Sequence, residues 1–182
     1  MQSHTICSQA VRSLAVDQIE SANSGHPGVA LGFADVVTVL WRYHMRFDPN
    51  NPEWINRDRF IFSNGHASAL YYAVLHMSGF PLGLEDLKDF RCLDSHTPGH
   101  PERDARLGVD MTTGPLGQGF ANGVGVAMAQ HYLAHRFNQK DVSLFDYRTY
   151  VMVGDGCLME GVSHEAASMA GCLGLSGLIV CW

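Results

Sequence analysis

The stretch Thr149-Tyr150-Val151-Met152-Val153-Gly154-Asp155-Gly156-Cys157-Leu158-Met159-Glu160-Gly161 decides how the chain is read. Its first five residues form an apolar, β-branched and aromatic run of the length of a buried strand. Gly154-Asp155-Gly156 then makes an acidic turn, and the residues from about Glu160 to Leu173 carry a helical pattern. Strand, acidic turn, helix is the unit of a parallel α/β sheet, in which ligands collect beyond the carboxyl ends of the strands. A carboxylate there suits a hard cation such as Mg2+, which shares its oxygen ligands between protein and phosphate. The flanking glycines let backbone amides approach an anion. Taken alone the motif also reads as a plain Asp-Gly turn, so its surroundings carry the argument.

Working outward, the same unit recurs. Residues 59–62 form a short strand candidate that ends at Ser63-Asn64-Gly65-His66, and residues 67–77 look helical. Near the amino end, Ile6, Ala10, Leu14 and Ile19 recur at helical spacing, and a second such run covers residues 34–45 before Pro49 and Pro52 break it. Two helices therefore flank the turn Ser24-Gly25-His26-Pro27-Gly28. Residues 93–116 are dense in Gly, Pro, Thr and His and lack periodicity, which predicts a long ordered loop of the kind that carries function. A helix over about 117–137 follows, and its Gly119, Ala121, Gly123 and Gly125 imply close approach by another backbone or a ligand, or simple helix crossing. Residues 178–182 read as a buried strand; because domains seldom stop in a central strand, the sequence reads as part of a longer protein.

The 182 residues, 46% of them hydrophobic, can bury one sizeable core, so a single domain is expected. A formal charge of -6 and the scarcity of basic runs argue against nucleic acid or an anionic membrane as partner. The segment Arg57-Asp58-Arg59 reads as solvated or locally paired. Five cysteines without a C-x-x-C pair indicate neither a zinc site nor a disulfide framework, and reduced thiols in a cytoplasmic protein are the simpler account. His131 and His135 have the i, i+4 spacing of a metal pair but no third ligand nearby, so they are assigned to a solvated face; His96 and His100 sit in a Pro/Gly loop and need not converge.

Four separated motifs remain: Ser24-Gly25-His26-Pro27-Gly28; Ser63-Asn64-Gly65-His66; Thr97-Pro98-Gly99-His100-Pro101 with Thr113-Gly114-Pro115-Leu116-Gly117-Gln118-Gly119; and Gly154-Asp155-Gly156 with Glu160-Gly161. Together and in this order they resemble the amino-terminal, diphosphate-binding domain of the transketolase family, over essentially residues 1–182. The resemblance implies an α/β fold, a parallel sheet with flanking helices of the diphosphate-binding type, incomplete at its carboxyl end. It also implies thiamine diphosphate and Mg2+, with Ca2+ or Mn2+ as substitutes, and two-carbon ketol transfer from a ketose phosphate to an aldose phosphate in the pentose phosphate pathway.

By the same resemblance, Asp155 would ligate the metal and Gly156 would contact the cofactor through its backbone. His66 would approach the diphosphate, and Gly114, Pro115 and Leu116 would line the aminopyrimidine. His26 and His100 would meet the sugar near its reacting oxygens, where imidazole can shuttle a proton. Glu160 would act as the acid that links the two active sites of a homodimer. Each residue has a plainer reading: a histidine in a helix-start turn often only packs, and an acid is favoured in a first helical turn. The family's second metal-ligand segment, an Asp-x-Asn, lies beyond Trp182, so the chain by itself is expected to bind cofactor weakly and to be inactive. A formaldehyde-using ketol transferase of the dihydroxyacetone synthase kind, and a non-catalytic binding module, are the alternatives.

Overall fold

In the computed structural model, which describes residues 2–182, a three-stranded parallel sheet carries helices on both faces. The strands are β1 (Arg59–Phe62), β2 (Thr149–Met152) and β3 (Leu178–Cys181), in the order β1-β2-β3. Side chains alternate across each strand, so the two faces draw on different residues. Phe60, Phe62, Tyr150 and Met152 enter one core with α1 (Gln2–Ala22), α2 (Pro27–Val39) and α3 (Ser68–Met77). Ile61 and Val151 enter the other with α5 (Gln118–Phe137) and α7 (Gly161–Cys172). Apolar residues on both faces are why these strands read as continuous hydrophobic runs.

The register aligns Phe62 with Met152, and Met152 with Cys181, so β1 and β2 end side by side. The Ser63 amide donates to the Met152 carbonyl at 2.9 Å and the Val153 amide to that of Cys181 at 2.9 Å. The turns beginning at Ser63 and Val153 are thereby held against each other. A parallel pair needs a crossover, and the one from β1 to β2 consists of α3, the short α4 (Leu84–Lys88), the loop over 93–116 and α5. Tyr71 at the centre of α3 is fully enclosed, and its hydroxyl donates to the carbonyls of Phe60 at 3.3 Å and Gly108 at 3.0 Å, tying that loop to β1.

Several expectations are corrected in detail. The helix after the His26 turn starts at Pro27, whose missing N–H is harmless in a first turn, and residues Leu40–His44 continue it as a π-helical turn. The helix expected from about Glu160 forms as α7 from Gly161, with Glu160 itself extended (φ -74°, ψ 138°), and a short α6 (Asp155–Met159) precedes it where only a turn was expected. The β3 strand is an edge: Val180 is 40% and Trp182 75% exposed, where a buried strand was expected. Arg57 and Asp58 are buried, not solvated, because each finds a partner far away in sequence: Arg57 pairs with Asp110 at 2.6 Å and Asp58 with Arg46 at 3.2 Å. The loop over 93–116 contains a single 3-10 turn at Ala105–Leu107, and α4 was not foreseen. All five cysteines are free, and no helix of the described residues is long and apolar enough to cross a membrane.

Candidate active site

The carboxyl ends of β1 and β2 place four chain segments within contact of one another. A side-chain carbon added at Gly65 would stand 2.7 Å from Thr113 Oγ1 and 2.9 Å from the Gly114 nitrogen, so only glycine lets the turn after β1 touch the Thr113-Gly114 turn. The same addition at Gly119 would meet the Ser63 Cα at 2.5 Å, while the Phe120 amide donates to Ser63 Oγ at 2.9 Å. Gly119 at the start of α5 therefore serves close approach to backbone, one of the readings the sequence offered.

Three histidines gather on this platform. His26 and His66 stack at an angle with ring centroids 4.9 Å apart, and the His100 ring lies 3.6 Å from where a Gly114 side chain would begin. Partial burial, then the charges of His26 and His100, hold the His66 imidazole below its ordinary range. Clustered cation-forming groups without a neighbouring acid make His66 favour its neutral form, and an arriving anion would reverse that.

The other site residues follow the same chain of contacts. Leu116 packs on Gly156, whose added carbon would stand 2.7 Å from Leu116 Cδ1. Gly117, at φ 79°, is backed by Glu160, whose Cβ lies 2.7 Å from the position a side chain would take. Pro115 is exposed beside them. Asp155 opens α6 with an exposed carboxylate, and Oδ1 accepts a hydrogen bond from Trp182 Nε1 at 2.9 Å. No hydrogen bond or ion pair joins Glu160 to the histidines among the described residues, so the structure places Glu160 against the Gly117 turn and not against the imidazoles.

Sequence reasoning quoted Asn64 without giving it a role. Its side chain is 1% exposed, both amide atoms lack a hydrogen-bond partner among the described residues, and it lies 3.8 Å from where a Gly154 side chain would begin. Thr113 Oγ1 is likewise buried and unpartnered. An amide two residues past an apolar strand and directly before a glycine was the available signal. Arg91 was also missed: it holds a left-handed φ of 64° and donates from Nη1 to Ser24 Oγ at 2.6 Å, bracing the His26 turn. Nothing in its local sequence marks it.

The family described as the transketolase thiamine diphosphate-binding domain matches residues 3–182. The chain belongs to this transketolase family. It is 57% identical over all its 182 residues to Transketolase 1 of Aliivibrio fischeri, covering 27% of that protein, and 56% identical over 173 residues to Transketolase 2 of Vibrio parahaemolyticus, covering 26%. The chain thus spans about a quarter of the length of the curated relatives it matches. Among solved structures, the transketolase from Leishmania mexicana superposes with a TM-score of 0.95 at 51% identity, over 97% of this chain and 26% of that one. The Pichia stipitis transketolase complex with sedoheptulose-7-phosphate gives a TM-score of 0.96 at 52% identity, over 99% of this chain and 26% of that one. These neighbours share the transketolase fold of parallel sheet and flanking helices, as the motifs predicted.

Proposed function

We propose that residues 1–182 form the diphosphate-binding portion of a thiamine diphosphate-dependent transketolase that moves a two-carbon ketol unit between sugar phosphates. The observation that carries the reading is the buried, unpartnered amide of Asn64 in a glycine-walled turn beside His66 and Gly154. Buried polar groups without partners are costly, and a site built to receive an anion or a metal-bound diphosphate is a reason to keep them. The residues fit that group: Asn64 and Thr113 offer free polar atoms, His66 offers a ring nitrogen, and the glycines leave backbone room for phosphate oxygens.

In this reading Asp155 ligates Mg2+, or Ca2+ or Mn2+ in its place, while Gly114, Pro115, Leu116 and Gly156 shape the seat of the cofactor. When bound, thiamine diphosphate would supply a nucleophilic carbon and a sink for the electrons of the two-carbon unit. His66 would donate a ring N–H toward phosphate, and the arriving anion would favour its protonated form. His26 and His100 hold or accept a proton at the sugar's hydroxyl oxygens. Glu160, pressed on the Gly117 turn, connects the site to a second subunit of a homodimer. Cytoplasmic location, the pentose phosphate pathway and sugar phosphates as substrates belong to the same proposal. A single carboxylate is a sparse metal site, and no group of three acidic, histidine or cysteine ligands occurs among the described residues. The chain by itself is therefore expected to bind cofactor weakly and turn over nothing.

The relatives are transketolases, which favours sugar-phosphate acceptors over formaldehyde. The test is calorimetric titration of thiamine diphosphate with Mg2+ into the protein and into Asn64→Ala and His66→Ala. Saturable binding that both substitutions weaken by about tenfold, the worth of one charge-assisted hydrogen bond, supports the reading. Equal binding by all three proteins would sink it. Ketol transfer to ribose 5-phosphate, in competition with formaldehyde, is then measured on the protein that carries this sequence in full.

A further inference from the structure

At the opposite, amino-terminal end of the strands lies a cleft of about 350 Å³ that the histidine site does not use. Arg57, Arg59 and Arg103 line it, with Glu53 and Asp110 as the acids. Asp110 is already committed: its oxygens accept from Arg57 Nη1 at 3.0 Å, Arg57 Nη2 at 2.6 Å and the Phe60 amide at 2.9 Å. It neutralises Arg57 and leaves Arg59 4.0 Å away, outside hydrogen-bond range. Arg59 gives one N–H to the Arg57 carbonyl at 2.6 Å and one to the Ile55 carbonyl at 3.0 Å, and its guanidinium lies 5.1 Å from the Tyr147 ring. Those contacts fix the group and still leave donors without an acceptor.

Burial first, and the adjacent Arg57 charge second, hold the Arg59 guanidinium below its usual range. Arg103 donates its backbone N–H to Thr112 Oγ1 at 2.9 Å, and neither its guanidinium nor the Glu53 carboxylate forms an ion pair among the described residues. Ile61, Met111 and Val126 complete the cleft with an apolar wall. A cleft lined by a fixed guanidinium with donors to spare, a second guanidinium without an ion pair among the described residues and an apolar wall matches a small amphipathic anion. Guanidinium forks recognise phosphate oxygens well, and the wall accommodates an organic group.

We infer that this cleft is a second ligand site, distinct from the histidine platform, which takes a small organic phosphate monoester with its phosphate between Arg59 and Arg103 and its body against Met111 and Val126. Glu53 opposes the phosphate and keeps the affinity low.

Phenyl phosphate and inorganic phosphate are the probes, titrated by calorimetry into the purified protein and into Arg103→Ala, Glu53→Gln and His66→Ala. Arg103 and Glu53 are exposed, so their replacement leaves the fold intact, which circular dichroism checks. Phenyl phosphate is expected to saturate one site more tightly than inorganic phosphate. Arg103→Ala weakens it about threefold or more, Glu53→Gln tightens it about threefold, and His66→Ala leaves it unchanged. Two results overturn the inference: no saturable binding even to Glu53→Gln, or binding that follows His66→Ala and ignores the other two, which assigns the phosphate to the histidine site.

Discussion

His66 shows how one residue reports the condition of the whole site. Burial first, and the His26 and His100 charges second, depress its proton affinity below the ordinary 6.5. The unfolded chain therefore binds a proton more readily than the folded one, so the contribution of His66 is fully present above about pH 6.5 and is lost as pH falls through that value toward the folded pKa. Urea unfolding at pH 7.5 and 5.5 is expected to show this loss, and His66→Gln should remove most of the difference. An unchanged pH dependence in the variant would place the titration elsewhere. Gly117 gives a second residue-scale prediction. Its φ of 79° is left-handed, and a side chain there would meet the Glu160 Cβ at 2.7 Å. Gly117→Ala combines about 1–2 kcal/mol of backbone strain with a clash, and is expected to lower both the urea midpoint and thiamine diphosphate affinity. Loss of stability with unaltered affinity would detach Glu160 and its turn from the cofactor seat.

Among the elements, α5 was the most ambiguous in the sequence, because four small residues at its start fitted packing and ligand approach alike. The structure separates them by position. A side chain at Gly123 would stand 2.4 Å from Val151 Cγ2 on β2, whereas nothing lies within 4 Å at Gly125. Gly123→Ala is expected to destabilise by about 1–3 kcal/mol through overpacking, and Gly125→Ala to stabilise by up to about 1 kcal/mol by restricting the unfolded chain. Combining Gly123→Ala with Val151→Ala should recover part of the loss, which a double-mutant cycle measures. This contrast marks what sequence could carry. The strand-turn-helix units at residues 59–77 and 149–173 were legible because apolar runs and glycine turns are local signals. So were the histidines, through the motifs around them. The pairing of Arg57 with Asp110, and the desolvated Asn64 amide, were not legible: the crossover brings in Asp110 from fifty or more positions away, and Asn64 is covered by distant segments such as the turn at Gly154. The short α6 was hidden because Gly154-Asp155-Gly156 reads locally as a turn, and a helix of five residues is too brief to show apolar periodicity.

Across the whole molecule, the two ends of the sheet differ in how their buried polar groups are paired. At the amino end the buried carboxylates are matched: Asp58, fully buried, accepts from the Arg46 and Arg148 amides at 2.8 Å each, and Asp110 holds Arg57 and the Phe60 amide, while Thr149 Oγ1 at the start of β2 has no partner among the described residues. At the carboxyl end, Asn64 and Thr113 are buried with free polar atoms. Matched groups hold the strands and the long crossover together, while unmatched ones cost stability, and those at Asn64 and Thr113 lie where the proposed cofactor would bind. Substitutions at the two ends should therefore separate stability from binding. Asp110→Ala strands the Arg57 guanidinium, whose side chain is only 7% exposed, and is expected to cost about 3 kcal/mol or more. Asn64→Ala removes an amide that makes no hydrogen bond, so its stability should be unchanged or raised by up to about 1 kcal/mol while thiamine diphosphate binding falls. Urea unfolding and calorimetry on the two variants decide the matter. Should Asn64→Ala destabilise the fold as much as Asp110→Ala does, the amide would be a structural member of the sheet end, and its claim to be the seat of the cofactor would fail.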